Sequence, residues 1–175
     1  MNYITVRPET PADIPAIFNV NLLAFGQPVE AQLVDALRRD GDFIPELSLV
    51  AVLEGRIVGH ILFPPVTISS PEGDIAALDL APMAVLPEFQ GRGIGSLLVR
   101  EGLASCRRLG HHIVVVVGHP AYYPKFGFSP ARERGIGLPF PVPDEALMVT
   151  ALVEGALEGV HGIVRYPHAF DVSVE

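Results

Sequence analysis

Apolar and polar positions along this chain recur in patterns that mark most of its elements before any chemistry is considered. Ile4 and Val6 alternate with Thr5 and Arg7, which predicts a short strand. Thr10-Pro11-Ala12-Asp13 reads as a helix start: a Thr cap, a Pro at the first helical position and an acid in the first turn. Ile14, Ile17, Phe18 and Leu22 follow at helical spacing. A second helix is predicted over Val29 to Arg39, with Leu33, Ala36 and Leu37 inward and Gly41-Asp42 as its stop. Leu47 to Leu53 and Arg56 to Phe63 flank the turn pair Glu54-Gly55, a hairpin signal. Ala76 to Val85 reads as a further strand, interrupted by Pro82, whose missing N–H marks a bulge or an edge. Gly91 to Leu109 is a helix entered through a glycine-rich turn. Ile113 to Val117 is an isoleucine followed by four valines, the pattern of a strand buried on both faces. A helical turn over Ala121 to Phe126 ends at Gly127, and a Pro/Gly-rich segment runs from Ser129 to Pro143. A strand over Leu147 to Val153 follows, and Gly162 to Tyr166 is a candidate for one more.

The predicted order is β, α, α, β, β, β, α, β, α, β. It implies an α/β layer architecture with hairpins and crossovers in one sheet, not a doubly wound parallel one. The length, 175 residues, suits a single domain over 1–175, and no repeat, linker or charge block divides it. Hydrophobic residues at 49% against 18% charged supply a real core and exclude a disordered chain.

Charge narrows the partners. Twenty acids against twelve bases leave a net charge of −8, which excludes a dedicated nucleic-acid binder and an anionic membrane surface as partners. Eleven of the bases are arginine, and Lys125 is the single lysine. The one cysteine, Cys106, excludes an internal disulfide and a multi-cysteine metal site; its place on the inner stripe of a helix reads as a small buried hydrophobe. His111-His112 are adjacent strand-type neighbours that point to opposite faces, so no metal is expected. No apolar run reaches the about 20 residues of a membrane span. The N-terminal Met1 to Pro8 lacks a basic region followed by an apolar stretch, so a cytoplasmic protein is expected.

The chemistry concentrates in Gln90-Gly91-Arg92-Gly93-Ile94-Gly95, between a strand and a helix. Three glycines in five residues start a helix poorly unless backbone must approach a ligand closely. Helix-start amides lack internal acceptors and carry positive partial charge, so such a turn makes a phosphate cradle. The alternative is a tight turn that serves helix packing. No Gly-Lys-Ser/Thr is present, and the dinucleotide spacing fails because its third glycine falls on Leu98 or Ser96.

Gln90-x-x-Gly93-x-Gly95 after the strand Met83-Ala84-Val85-Leu86-Pro87 resembles the acyl-CoA motif of the GNAT superfamily of N-acetyltransferases. Tyr122-Tyr123-Pro124-Lys125-Phe126-Gly127-Phe128 is similar to that superfamily's aromatic-Tyr-x-x-x-Gly-Phe block. Val58-Gly59-His60-Ile61, Gly118-His119-Pro120 and Pro139 to Ala146 resemble the bacterial YhbS-like subgroup, over nearly the whole chain.

The resemblance implies a mixed, mostly antiparallel central sheet with helices on both faces and a splayed strand pair that binds acyl-CoA. It implies acetyl transfer from acetyl-CoA to a primary amine by direct attack, without a metal. A non-catalytic acyl-CoA-binding or regulatory domain is the alternative. The acceptor is a small-molecule amine or a protein or peptide amine, and a homodimer is compatible. The backbone of Met83, Ala84 and Val85 lines the pantetheine arm, with Pro82 starting the splay. The amides from Gln90 through Gly91, Arg92, Gly93, Ile94 and Gly95 hold the pyrophosphate, with Ser96 at the helix start; Arg92 adds a charged contact or is an exposed loop residue. Tyr123 is the acid that protonates the thiolate, or a packing aromatic. Asp79, eleven residues before Gln90 on the same strand, is the base through a water, or a solvated or salt-bridged residue. His119 contacts the cofactor or is a structural loop histidine, Tyr122 is wall or cofactor packing, and Lys125 is a cofactor contact or exposed. Glu88 is read as an exposed loop acid. Asn21, Phe25 and Glu30 fall where the superfamily places its acceptor, without a substrate code.

Overall fold

A computed structural model describes residues 3–173; Met1 and Asn2 of the N-terminal stretch lie outside them. The strands are β1 Ile4–Pro8, β2 Ser48–Leu53, β3 Arg56–Leu62, β4 Pro65–Ser70, β5 Gly73–Asp79, β6 Met83–Val85, β7 Ile113–Val117, β8 Ser129–Pro130, β9 Ile136–Gly137, β10 Leu147–Ala151 and β11 Gly162–Arg165. The helices are α1 Ile14–Phe25, α2 Val29–Arg38 and α3 Ile94–Arg108. The strands form two sheets, ordered β1-β2-β3-β6 and β8-β10-β7-β5-β4-β11-β9, where one had been expected. Pairing is mixed and mostly antiparallel, as expected; the parallel pairs are β5–β7 and β9–β11.

The reason for two sheets is local. The predicted strand over Ala76 to Val85 is two strands, β5 and β6, one in each sheet. Pro82 has no N–H to continue a ladder. The Leu80 amide donates to Val115 O at 2.9 Å, whereas the Ala81 amide donates to Leu62 O at 3.1 Å. Asp79 and Met83 therefore belong to different strands, and the expectation of one strand carrying both is corrected.

The chain divides into two compact units interleaved in sequence. One comprises the residues up to Pro64, Ala81–Ser105 and the segment from His168; the other comprises Pro65–Leu80 and Cys106–Pro167.

In the first unit the hairpin turns as its sequence predicts. Glu54 and Gly55 both take positive φ, 50° and 77°, the twist a two-residue hairpin needs. Period-two alternation on β3 then sends its residues to opposite faces. On one face, Val50 and Leu62 pack with Ile17 of α1 and with Leu33, Val34 and Leu37 of α2. Ala36 is only half-buried, and Ala31 and Val34 take the inward role expected of it. On the other face Gly59 lets α3 approach: an added Cβ would stand 3.0 Å from Leu98 Cδ1. Helices thus cover both faces of this sheet.

The inward stripe of α3 is Ile94, Leu98 and Gly102, at i, i+4 and i+8. The helix starts at Ile94, not Gly91, because Gly91 and Gly93 take φ of 77° and 82°. Gly102 lies under the Phe63 ring, so closely that a Cβ would overlap the ring edge. Gly102→Val is expected to lower the unfolding free energy by about 1–3 kcal/mol through overpacking. Urea denaturation checks this, and an unchanged midpoint would count against the packing described.

A buried polar chain crosses this unit. Asn21 Nδ2 donates to Ile17 O at 3.0 Å and meets His60 Nδ1 at 3.1 Å. His60 Nε2 meets Ser48 Oγ at 2.9 Å, Ser48 Oγ donates to Glu9 Oε1, and Glu9 accepts two hydrogen bonds from Arg38 at 2.9 and 3.0 Å. With the Ser48 proton committed to Glu9, the network assigns the His60 proton to Nε2. Burial, with Arg38 nearby, pushes His60 down to about 3, so it stays neutral. Asn21 is therefore a core residue and not an acceptor contact.

The second unit is built on the seven-stranded sheet. Its core gathers Val66, Ile68, Ala77, Ile113, Val115, Leu147, Val149 and Val164 from five strands. Ile113 to Val116 are buried as predicted, while Val117 emerges. The Pro/Gly-rich segment holds β8, β9 and a 3-10 turn at Arg132–Arg134, and Ala131, Ile136 and Leu138 from it join the core. Strand β4 was not expected; it is the antiparallel partner of β5. Among the described residues no helix is long and apolar enough to cross a membrane.

Candidate active site

The glycine-rich turn belongs to the first unit. Strand β6 pairs with β3 in the register Gly59↔Val85, His60↔Ala84 and Ile61↔Met83, and it is the edge strand of its sheet. Its outer edge has no ladder partner in that sheet, so Met83, Ala84 and Val85 can pair with an extended ligand. Beyond it, a 3-10 turn over Pro87–Phe89 leads into the glycines. The Gln90 side chain folds back and donates to Val85 O at 3.0 Å, which fixes the loop rather than reaching for a ligand.

Gly91 and Gly93 do more than permit a turn. Their positive φ disfavours any L side chain, and a Cβ built on either would meet nothing within 4 Å. The space beside both glycines is open. The Ile94 side chain is buried in the core, so only its backbone is available there. The first-turn amides have no intrahelical acceptor, and the Gly93 carbonyl takes the first helical bond from Leu97 at 3.0 Å. Arg92 lies beside the turn with its guanidinium 5.2 Å from the Phe89 ring centre, and Arg56 stacks on the same ring at 5.5 Å. Glu88 is held by Arg56 at 2.9 Å on the surface, in keeping with an exposed loop acid.

The titratable pair belongs to the second unit. Asp79 is 3% exposed and pairs in register with Val115. It is not solvated, and among the described residues no ion pair holds it, which corrects that alternative. Burial pushes its carboxyl up to about 7, opposed by the neighbouring Leu80 amide. A carboxyl near 7 takes and returns protons at neutral pH.

Tyr123 is also buried, at 8% exposed. Its ring lies on Gly118: a Cβ there would overlap the ring edge and stand 3.0 Å from Cδ2. Tyr122 meets it edge-on at 5.0 Å and Phe128 at 5.7 Å. Gly127 closes the turn with φ of 98°. Burial, Tyr122 and the Asp79 charge push the Tyr123 phenol up to about 12. It therefore stays protonated throughout the working range, as a proton donor must be. Lys125 Nζ sits 4.1 Å above the Tyr122 ring centre and 5.3 Å from that of Phe126, a cation–π arrangement. His119 is exposed; its carbonyl accepts from the Tyr122 amide at 3.1 Å, and with Val117, Gly118, Pro143 and Glu145 it lines a cavity of about 360 Å³.

Tyr166 had no sequence signal beyond ending a strand. Burial raises its pKa, and the Asp79 charge adds to the rise as it does at Tyr123. Cys106 is buried and pushed up to about 12, an inert thiol as its helix position predicts. Among the described residues no three His, Cys, Asp or Glu side chains gather as a metal site needs.

Comparison with known proteins agrees with these features. Residues 5–131 match the family described as Acetyltransferase (GNAT) domain. Over 146 residues the chain is 40% identical to the uncharacterized N-acetyltransferase YjhQ of Escherichia coli K12, covering 83% of this chain and 81% of that protein. Over 167 residues it is 37% identical to the uncharacterized N-acetyltransferase YhbS of the same strain, covering 95% and 98%. The crystal structure of E. coli YhbS in complex with CoA superposes with a TM-score of 0.90 at 34% identity, covering 98% of this chain and 93% of that one. A family match over most of the chain, two relatives of this similarity and a common fold place the protein among the GNAT N-acetyltransferases.

Proposed function

We propose that the protein transfers an acetyl group from acetyl-CoA to a primary amine by direct attack in a ternary complex. The observation that carries this reading is the open, positive-φ turn at the start of α3 beside the edge strand β6. The amides of the Gly91 to Ser96 turn hold the pyrophosphate, with Arg92 beside them, while the Gln90 amide is committed to Pro87 O at 3.3 Å. The backbone of Met83, Ala84 and Val85 receives the pantetheine arm as an added strand. Support for the ligand also comes from a GNAT structure of Brucella melitensis determined with acetyl-CoA, with a TM-score of 0.79 at 33% identity.

The chemistry follows from the two buried acids. Asp79 accepts the proton of the incoming ammonium, directly or through a water. The neutral amine attacks the thioester carbonyl, the C–S bond breaks, Tyr123 donates its proton to the departing thiolate, and the proton that the new amide nitrogen sheds returns to Tyr123. Tyr122 packs beside Tyr123, and Lys125 and His119 are contacts for the cofactor. Residues 1–175 act as one catalytic domain in the cytoplasm, on a small-molecule or peptide amine.

Acetyl-CoA is expected to raise the melting temperature in proportion to the logarithm of its concentration. Gly93→Ala forces a side chain into a left-handed backbone and into the open cradle. It is expected to weaken acetyl-CoA at least about tenfold, by about 1.4 kcal/mol or more in differential stabilisation. Calorimetric titration measures this; no thermal protection of the parent at millimolar acetyl-CoA would remove the cradle.

A further inference from the structure

The seven-stranded sheet carries an aromatic pair on the same face as Asp79. Residues in register share a face, and residues two apart on a strand do so too. Asp79 thus shares its face with Ala77, Ala77 with Val66 across the β5–β4 ladder, and β11 continues the line. Arg165, the last residue of β11, pairs with Thr67, and Tyr166 follows it directly. Tyr166 packs on the core that includes Val66, Ala77 and Val115. Phe140, from the Pro-rich segment before β10, packs against Tyr166 with ring centres 5.8 Å apart and planes tilted by 32°. Yet Phe140 is 43% exposed, a large aromatic left partly in water.

We infer that Tyr166 and Phe140 form the binding wall for the acceptor's ammonium on its way to Asp79. This rests on the acetyl-transfer reading above. Two packed aromatic rings offer a cation a π-face, and a carboxylate on the same sheet face lies beyond them. The ligand class is a primary amine in its protonated form, held by the rings and then deprotonated at Asp79. The overall charge of −8 favours the approach of such a cation.

The test is a binding measurement that needs no turnover. The chain has four tyrosines and no tryptophan. Incorporated 3-fluorotyrosine therefore gives few ¹⁹F resonances, and Tyr166→Phe assigns that of Tyr166. Titration with n-butylamine at pH 6.5 is expected to shift the Tyr166 resonance saturably, while 1-butanol leaves it in place. Phe140→Ala and Phe140→Leu are both expected to weaken butylamine at least about threefold, because leucine keeps the apolar bulk and loses the π-face. An unmoved Tyr166 resonance, an equal shift with the alcohol, or full affinity in Phe140→Leu would overturn the inference. Thermal protection by acetyl-CoA separates the outcomes: its loss defeats the acetyl-transfer reading, whereas its presence with an unmoved Tyr166 resonance defeats this inference alone.

Discussion

Tyr123→Phe is expected to lower turnover by about 10²- to 10⁴-fold while leaving the thermal protection by acetyl-CoA within a degree or two of the parent. The substitution removes one oxygen from a ring whose position is set elsewhere. Gly118 lies beneath it, and Tyr122 and Phe128 meet its edges. The phenylalanine ring should therefore occupy the same place, and the change should report the hydroxyl. A phenol held near 12 is a weaker acid than one in water. A leaving thiolate in equally dry surroundings is also made more basic, so the pair stays matched. Steady-state kinetics with thiol detection gives turnover, and a melting curve gives cofactor binding. Unchanged turnover would return Tyr123 to the role of a packing aromatic.

Asp79→Asn is expected to have an equally large kinetic effect at neutral pH, with a second signature in stability. The parent rate should rise as Asp79 ionises near pH 7. Without the carboxylate, the rate should fall by about 10²-fold or more, and its rise should move to higher pH, where the amine deprotonates in solution. An unaltered profile would point to another base. The stability effect has a definite sign. The folded protein keeps the Asp79 proton up to about pH 7, whereas the ordinary carboxyl releases it near 3.8. Between these values the native state binds more protons, so stability falls as pH rises, and the loss is complete above pH 7. Asparagine carries no charge and removes that slope. The variant should gain on the parent from pH 4 to pH 7 and hold the gain above it, as read by urea denaturation across pH.

The two signatures separate chemistry from folding. A structural Asp79 would alter stability with pH and leave the rate profile alone. A catalytic Asp79 moves both. The parent's cost of holding a buried carboxyl is then a stability sacrifice at a site where a neutral side chain would suit the fold better.

The features that the sequence determined by itself are the local ones. Glu54-Gly55 sets its hairpin because two adjacent residues can adopt positive φ. Gly91 and Gly93 shape the turn before α3 because glycine takes a backbone of φ 77° and 82° without the strain a side chain would meet there. The apolar stripe of α3 and the buried run of β7 follow from periodicity alone. The Tyr122 to Phe128 block is legible because its turn, its rings and its closing Gly127 lie within seven residues.

What the tertiary structure decided depends on residues distant in the chain. Pro82 marked an interruption, but only the partners of Leu80 and Ala81, Val115 and Leu62, separate β5 from β6 into two sheets. Asp79 read equally well as a solvated strand acid; its raised pKa comes from the covering core, to which no neighbour in sequence testifies. Asn21 sat in a plausible acceptor position until His60, thirty-nine residues away, took it into the core. Tyr166 carried no motif, and its relation to Asp79 exists only through the register of β11 on β4 and β4 on β5. Backbone conformation is set by a residue and its neighbours, and so it can be read along the chain. Burial and electrostatic environment are set by whatever strands bring alongside, and so the acid–base character of this site is a property of the fold.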